Sequence, residues 1–195
     1  MRITIGMAVL AIAGLLGLAY GGFNNIARRQ TIQVSAGSSS VQGPSAGKLA
    51  VGGKAPAWQV KTLDGKKVAL ADFTGKKGVV VAFFATWCPH CMEEVPDLIA
   101  FQNKIKDAKV ELVALALDQP ERVLTKFVDS RKVNYVVAND ADGVIARAYG
   151  VVGIPTIIGI DAQGTVRYIE HALPREQAEF VKLLEPAMPS GAAQP

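Results

Sequence analysis

Both cysteines of this 195-residue chain stand in one pentapeptide, Trp87-Cys88-Pro89-His90-Cys91. A disulfide framework needs several bridges, and a structural zinc site usually takes four Cys or His ligands. The only histidines are His90, inside the motif, and His171. The sequence therefore predicts no resident metal and no other cofactor. It indicates thiol chemistry between Cys88 and Cys91.

The flanking sequence places this pair where a buried strand turns into a helix. Residues 78–85 form a short apolar run rich in β-branched side chains, which is typical of a strand buried on both faces. Apolar residues then recur with a period of roughly 3.6 as far as Ile105, which is typical of an amphipathic helix. Pro89 suits the first helical turn, where a missing N–H costs nothing.

This setting gives the two sulfurs different tasks. Cys88 lies at the helix N-terminus, where free N–H groups and the helix dipole stabilise an anion, so we expect a thiolate nucleophile. Cys91 lies one turn deeper and within bridging reach, and we expect it to resolve the mixed disulfide. The pair is thus predicted to form a redox-active disulfide. His90 is expected to donate to the Cys88 sulfur or to place positive charge beside it, and Trp87 to be a partly buried ring that shapes the adjacent groove.

The N-terminal segment predicts attachment to a membrane. Residues 3–23 carry no charge, and about 20 apolar residues suffice to cross a bilayer. A cleaved signal peptide is the alternative, since Ala19 and Gly21 are spaced like a weak cleavage site. Arg28 and Arg29 follow the span, and a strict positive-inside count would keep the domain in the cytoplasm. The short basic start and the small residues favour an extracytoplasmic domain instead.

Composition divides the chain into four parts. We expect an anchor or signal segment at 1–29, a flexible Ser-, Gly- and Ala-rich linker at 30–53, a folded domain at 54–185 and a disordered tail at 186–195. The formal net charge is +4, and three of the positive charges come from Arg2, Arg28 and Arg29. The domain itself therefore lacks the basic patch that nucleic-acid binding requires.

Within the domain, strand and helix patterns alternate. Asp64-Gly65 is a hairpin turn signal between two short strands. Strands are predicted at 58–62, 67–70, 78–85, 110–117, 135–138, 156–160 and 165–169, and further helices at 120–131, 142–149 and 174–184. Such alternation indicates an α/β sheet flanked by helices.

Two widely separated motifs make the chain resemble thioredoxin-fold proteins. Phe83–Cys91 is similar to the active-site strand and turn of that fold, and Tyr149–Thr156 to the segment that carries its cis-proline. More narrowly, the chain resembles the membrane-anchored TlpA/ResA/CcmG (DsbE) branch, over about residues 51–184. Supporting segments are Gly53–Pro56, Leu63–Lys66, Leu70–Gly75 and Cys91–Pro96. The resemblance implies a thioredoxin-like fold, a central mixed sheet flanked by helices, with an N-terminal hairpin and a central insert after Asp118.

The resemblance also implies roles for residues around the cysteines. A cis-Pro155 facing the sulfurs would leave the Ile154 backbone free to pair with an extended substrate segment. Glu94, which shares a helical face with Cys91, matches an acidic position of the ResA-like branch and is expected to accept the Cys91 proton. Thioredoxin itself has a buried aspartate in the preceding strand, where this chain has Ala82.

The activity implied is thiol–disulfide exchange, in which Cys88 attacks a substrate disulfide and Cys91 releases the reduced product. Relatives of this kind reduce exported polypeptides, such as apocytochrome c or copper-site cysteines, and are re-reduced by an integral membrane thiol carrier. The implied location is the bacterial inner membrane, as a single-pass protein facing the periplasm or cell exterior, or a secreted protein after signal cleavage.

Two alternatives stay open from the residues alone. The first is a thiol oxidase, since the Cys-Pro-His-Cys sequence resembles that of the oxidase DsbA. Stabilisation of the Cys88 thiolate by His90 would make the disulfide a stronger oxidant. The two thiolates could also serve as soft ligands of a Cu(I)-binding module.

Overall fold

A computed structural model of the chain describes residues 49–186. The predicted membrane or signal segment, most of the predicted linker and nearly all of the predicted tail lie outside these residues. Within residues 49–186, no helix combines the length and the apolar composition needed to cross a membrane.

The described residues form strands and helices close to those predicted. The strands are β1 (Gln59–Lys61), β2 (Lys67–Ala69), β3 (Gly78–Phe84), β4 (Val110–Leu117), β5 (Val136–Asp140), β6 (Thr156–Ile160) and β7 (Val166–Glu170). The helices are α1 (Leu70–Phe73), α2 (Pro89–Lys104), α3 (Glu121–Arg131), α4 (Val144–Ala148) and α5 (Gln177–Leu184). Helix α1 was not predicted, since four residues are too few to show a helical period. It begins where the Asp72 carboxylate accepts the N–H of Ala69 at 2.8 Å.

The main sheet is mixed, as the resemblance to thioredoxin-fold proteins implied. Its strand order is β5-β4-β3-β6-β7. Strand β3 runs parallel to β4 and antiparallel to β6, β5 is parallel to β4, and β7 is antiparallel to β6. The predicted N-terminal hairpin, β1–β2, is a separate two-stranded sheet. The predicted insert is α3 with β5, which adds a strand to the parallel edge.

Every residue of β3 is buried, because helices or the hairpin cover both faces of the sheet. Side chains alternate between the two faces along a strand. Val80, Ala82 and Phe84 pack in the core layer that includes α2, α3 and α5. Val79, Val81 and Phe83 pack in the opposite layer with the hairpin, α1 and α4. The result is the helix–sheet–helix architecture of an α/β domain.

The ordered contacts of the domain begin before Lys54, the first residue of the predicted domain. Gly52 N–H donates to the Val166 carbonyl at 2.8 Å, and the Gly53 carbonyl accepts from Val166 N–H at 2.9 Å. Leu49 packs against the core layer of the hairpin. The last residues of the predicted linker, 49–53, are therefore bound to the domain by backbone pairing that composition did not reveal.

The close approach of α5 to the sheet requires a glycine in β6. A Cβ placed on Gly159 would lie 2.6 Å from Phe180 Cε2, so Gly159→Ala would displace the Phe180 ring from its packing against Phe101 and Tyr168. We expect this substitution to lower the free energy of unfolding by about 1–3 kcal/mol, measured by urea denaturation.

Gly153→Ala is the matched control, because a Cβ added at Gly153 would meet no atom within 4 Å. Equal stability of the two variants would contradict the packing assigned to Gly159.

Candidate active site

The cysteine pair sits where β3 ends and α2 begins. Cys88 is the N-cap residue of α2, and Pro89 follows at the first helical position. The N–H of Cys91, at the third helical position, donates to the Cys88 sulfur at 3.3 Å. In most helices a Ser, Thr or Asp oxygen satisfies this N–H. Here the sulfur takes that place, so the helix start holds Cys88 Sγ against Cys91.

The two sulfurs differ in their access to solvent. Both are free thiols, and Cys88 is 6% exposed whereas Cys91 is 1% exposed. Cys88 therefore has the greater access to an incoming substrate. Its Sγ lies 3.7 Å from the carbonyl oxygen of Ile154, across a cleft from the helix.

Cys91 lies in apolar surroundings. It belongs to the same core cluster as Ala82 and Val95, where desolvation disfavours a negative charge. Burial raises the pKa of the Cys91 thiol to about 12, and the hydrogen bond with Cys88 adds to the rise. The Cys91 proton is thus strongly held.

The loop before β6 forms the opposite wall of the cleft. The Ile154–Pro155 peptide bond is cis. Thr156 Oγ1 donates to the Gly153 carbonyl at 2.6 Å, which fixes the turn. The cleft has a volume of about 470 Å³. Its walls are His90, Glu93, Glu94, Gly153, Ile154, Pro155 and His171. Of the predicted site residues, the structure brings His90, Glu94, Ile154 and Pro155 together beside the cysteines.

Glu94 is half-buried in this cleft. Its Oε1 accepts the N–H of Leu173 at 2.8 Å. Burial raises the pKa of Glu94 above the usual 4.5; the Leu173 N–H opposes the rise and the charge of Asp97 adds to it. A raised carboxyl pKa suits a group that exchanges protons near neutral pH. Acceptance of the Cys91 proton stays a prediction, because the hydrogen bond of Glu94 goes to Leu173.

His90 and Trp87 lie differently from what the sequence indicated. The His90 side chain is 81% exposed, and its Nδ1 lies 3.1 Å from Glu93 Oε2. Its partner is thus the carboxylate one turn on, and not the Cys88 sulfur. Trp87 is 66% exposed, although we expected a partly buried ring, and it presents an aromatic surface next to Cys88 in sequence.

His171 is a site residue that the sequence analysis missed. Its Nδ1 lies 2.7 Å from the carbonyl oxygen of Pro155. The hairpin of β6 and β7 explains this position, because Ile157 pairs with Glu170 and the next residues outward are near neighbours. The hairpin register, which the sequence did not give, was the missing signal.

The arrangement can perform thiol chemistry with protein groups alone. Among the described residues, no group of three or more His, Cys, Asp or Glu side chains is placed to hold a metal ion. The site offers two sulfurs of unequal burial, a half-buried carboxylate and the half-buried backbone of Ile154.

Comparisons with known proteins agree with this chemistry. The model of the AhpC/TSA family matches residues 51–169. Thiol-disulfide oxidoreductase ResA of Bacillus thuringiensis subsp. konkukian is 37% identical over 141 residues, covering 71% of this chain and 81% of the relative. The ResA protein of Bacillus subtilis is 31% identical over 150 residues, covering 75% and 83%.

Solved structures show the same fold. The thioredoxin domain of a Bacteroides vulgatus thiol-disulfide oxidoreductase superposes with a TM-score of 0.64 at 28% identity, over 70% of this chain and 99% of that one. A putative thiol:disulfide interchange protein DsbE of Chlorobium tepidum gives a TM-score of 0.63 at 32% identity, over 70% and 97%.

The raised pKa of Glu94 predicts a pH-dependent effect on stability. The folded state holds this proton more tightly than the unfolded state, so the stabilising contribution is present at low pH. It is lost as pH rises from about 4.5 through the higher folded pKa. Glu94→Gln removes the ionisation but keeps an oxygen for Leu173 N–H. We therefore expect the variant to gain thermal stability relative to wild type at about pH 7.5 but not at about pH 4.

Glu93→Gln is the control, because Glu93 is exposed on the same helix. A stability difference for Glu94→Gln that is the same at both pH values would contradict the assignment.

Proposed function

The chain belongs to the AhpC/TSA family and, within it, to the ResA-type thiol-disulfide oxidoreductases, and we propose that it reduces disulfides of exported polypeptides through Cys88 and Cys91. The observation that carries the proposal is the unequal burial of two adjacent sulfurs at one helix start. Cys88 is the nucleophile and Cys91 the resolving thiol of this reaction.

The reaction proceeds in two exchanges. The Cys88 thiolate attacks one sulfur of the substrate disulfide, which forms a mixed disulfide and expels the other substrate sulfur as a thiolate. Cys91 then loses its proton and attacks the Cys88 sulfur, which expels the second substrate thiolate and leaves a Cys88–Cys91 disulfide. The substrate gains two electrons, and the two cysteines lose them. A membrane-bound dithiol carrier then restores the reduced pair.

The resemblance to the ResA branch, whose members are named thiol-disulfide oxidoreductases, favours this direction over the oxidase. The burial of Cys91 bears on the second exchange: because it raises the pKa of Cys91 to about 12, a base must take up the Cys91 proton before the Cys91 sulfur displaces the substrate thiolate. The DsbA-like oxidase interpretation rests on His90, whose exposed contact is with Glu93.

The backbone of Ile154 is the proposed binding edge for substrate. Its carbonyl oxygen lies 3.7 Å from Cys88 Sγ, and no hydrogen bond within residues 49–186 uses its N–H. An extended polypeptide can pair with such an edge as an added strand. Exposed Trp87 offers an apolar surface beside the same sulfur. We therefore assign unfolded or loop-like polypeptides as the substrate class. Apocytochrome c and proteins with copper-site cysteines are examples of this class.

The proposed place of this reaction is the outer side of a bacterial inner membrane. The uncharged segment 3–23 would anchor the domain there, or direct its secretion. A structural neighbour from Mycobacterium tuberculosis, 29% identical, is described as a secreted disulfide oxidoreductase homologous to DsbE.

The reduction potential of the Cys88–Cys91 couple tests the direction. We expect a value closer to the roughly −270 mV of thioredoxin than to the roughly −120 mV of DsbA, because a strong oxidant needs a stabilised reduced form and His90, between the cysteines, contacts Glu93 and not the Cys88 sulfur. Equilibration with glutathione buffers and mass-spectrometric counting of free thiols measures it. A value near that of DsbA would overturn the reductase proposal in favour of the oxidase, and stoichiometric tight copper binding without disulfide exchange would favour the Cu(I) module.

Reaction of the reduced protein with the disulfide DTNB separates the two exchanges in time. Cys88 attack releases one equivalent of coloured thiolate, and Cys91 attack releases the second. We expect the second phase to accelerate with pH, because the Cys91 thiolate fraction grows about tenfold per pH unit below its pKa. Glu94→Gln should slow the second phase by about 100-fold, the lower end of general-base effects, and leave the first largely unchanged.

Cys91→Ser is the control that should release only the first equivalent. An unchanged second phase in Glu94→Gln would remove Glu94 from the mechanism.

A further inference from the structure

The segment after β7 contacts both walls of the active-site cleft. His171 Nδ1 lies 2.7 Å from the Pro155 carbonyl oxygen, on the loop wall. Leu173 N–H donates to Glu94 Oε1 at 2.8 Å, on the α2 wall. We call residues 171–173 the bridging segment. Two short hydrogen bonds, two residues apart, thus tie the loop to the helix that carries the cysteines.

The bridging segment is itself held by the core. Tyr168 Oη donates to the Ala172 carbonyl at 2.7 Å. The Tyr168 ring packs against Phe180 of α5 with their centroids 5.0 Å apart. The backbone beside His171 is therefore held by β7 and α5, independently of the bond that the His171 ring makes to the loop.

The hydrogen bond between His171 and Pro155 can have only one direction. A carbonyl oxygen only accepts hydrogen bonds, so Nδ1 must carry the hydrogen and donate it. Pro155 has no N–H, and its carbonyl is occupied by His171. The Ile154 carbonyl accepts from Cys88 Sγ at 3.7 Å, so the Ile154 N–H is the backbone group of this turn that has no partner within residues 49–186.

We propose that His171 is a positioning residue for polypeptide substrates, because its bond to the Pro155 carbonyl orients the adjacent Ile154 edge. The proposal rests on the proposed function, in which Ile154 pairs with the substrate backbone. Loss of the bond frees the loop wall, whereas the hydrogen bond from Cys91 N–H that holds Cys88 Sγ at the helix start is kept. The defect should therefore appear with a peptide that needs the edge, and not with a small disulfide that needs only Cys88.

The test compares two substrates in the full-length chain. One is a fluorogenic peptide with an internal disulfide, and the other is DTNB. For His171→Ala we expect the KM for the peptide to rise about 3- to 10-fold, the worth of one hydrogen bond. The first DTNB phase should stay within about twofold of wild type. Thermal unfolding is measured in parallel, so that a loss of folded protein is recognised.

Two further variants sharpen the result. His171→Asn can place an amide N–H where Nδ1–H stood, and it should restore a KM near that of wild type. Arg175→Ala is the matched control, since Arg175 lies shortly after the bridging segment but lines a separate groove with Phe101 and Lys104. It should leave both substrates unaffected.

The possible failures are distinguishable. Equal losses on the peptide and on DTNB, or no loss on either, would overturn the role of His171. Failure of His171→Asn to restore the peptide KM would overturn the Pro155 contact as its cause. Wild-type protein that reacts with DTNB but not with the peptide would overturn the proposed substrate class, and the positioning role with it.

Discussion

The start of helix α2 is the constraint on which the site depends. The first turn of any helix has N–H groups without partners in the helix, and here the Cys88 sulfur accepts the one from Cys91 at 3.3 Å. Strand β3 is buried along its whole length, so the chain reaches the domain surface only as this helix begins. Three residues of helix therefore span the boundary between solvent and core. The two sulfurs lie only one helical turn apart but differ in their access to solvent, and their different chemistry follows from that difference.

The mixed sheet explains why the second wall of the cleft lies where it does. Phe83, near the end of β3, pairs antiparallel with Thr156, at the start of β6. Residues that follow β3 and residues that precede β6 must then emerge at the same edge of the sheet. Because β7 returns antiparallel to β6, its end brings His171 to this edge as well. A parallel β6 would have sent Pro155 to the opposite edge.

The parts of the molecule with a strong local signal could be predicted from the sequence. The apolar run of β3, the helical period of α2 and the two motifs led to the fold and to the cleft residues. What the sequence did not reveal depends on pairing between distant residues. The role of His171 needs the hairpin register, and the ordering of residues 49–53 needs the partner strand β7. His90 had two partners within reach, and only the three-dimensional arrangement places it 3.1 Å from Glu93.

The chemistry of the second exchange therefore depends more on packing around Cys91 than on the residues between the cysteines. An exposed His–Glu contact contributes little in water, so His90 is a weak lever on the chemistry of Cys88. The apolar cluster around Cys91, which includes Ala82 where thioredoxin has an aspartate, acts on a buried sulfur without screening by solvent. It raises the pKa of Cys91 to about 12, so a base must take up the Cys91 proton before the Cys91 sulfur displaces the substrate thiolate. A carboxylate introduced at position 82 would add a proton acceptor but disrupt this apolar packing, whereas Glu94, the proposed acceptor, lies at the cleft wall and leaves the packing intact.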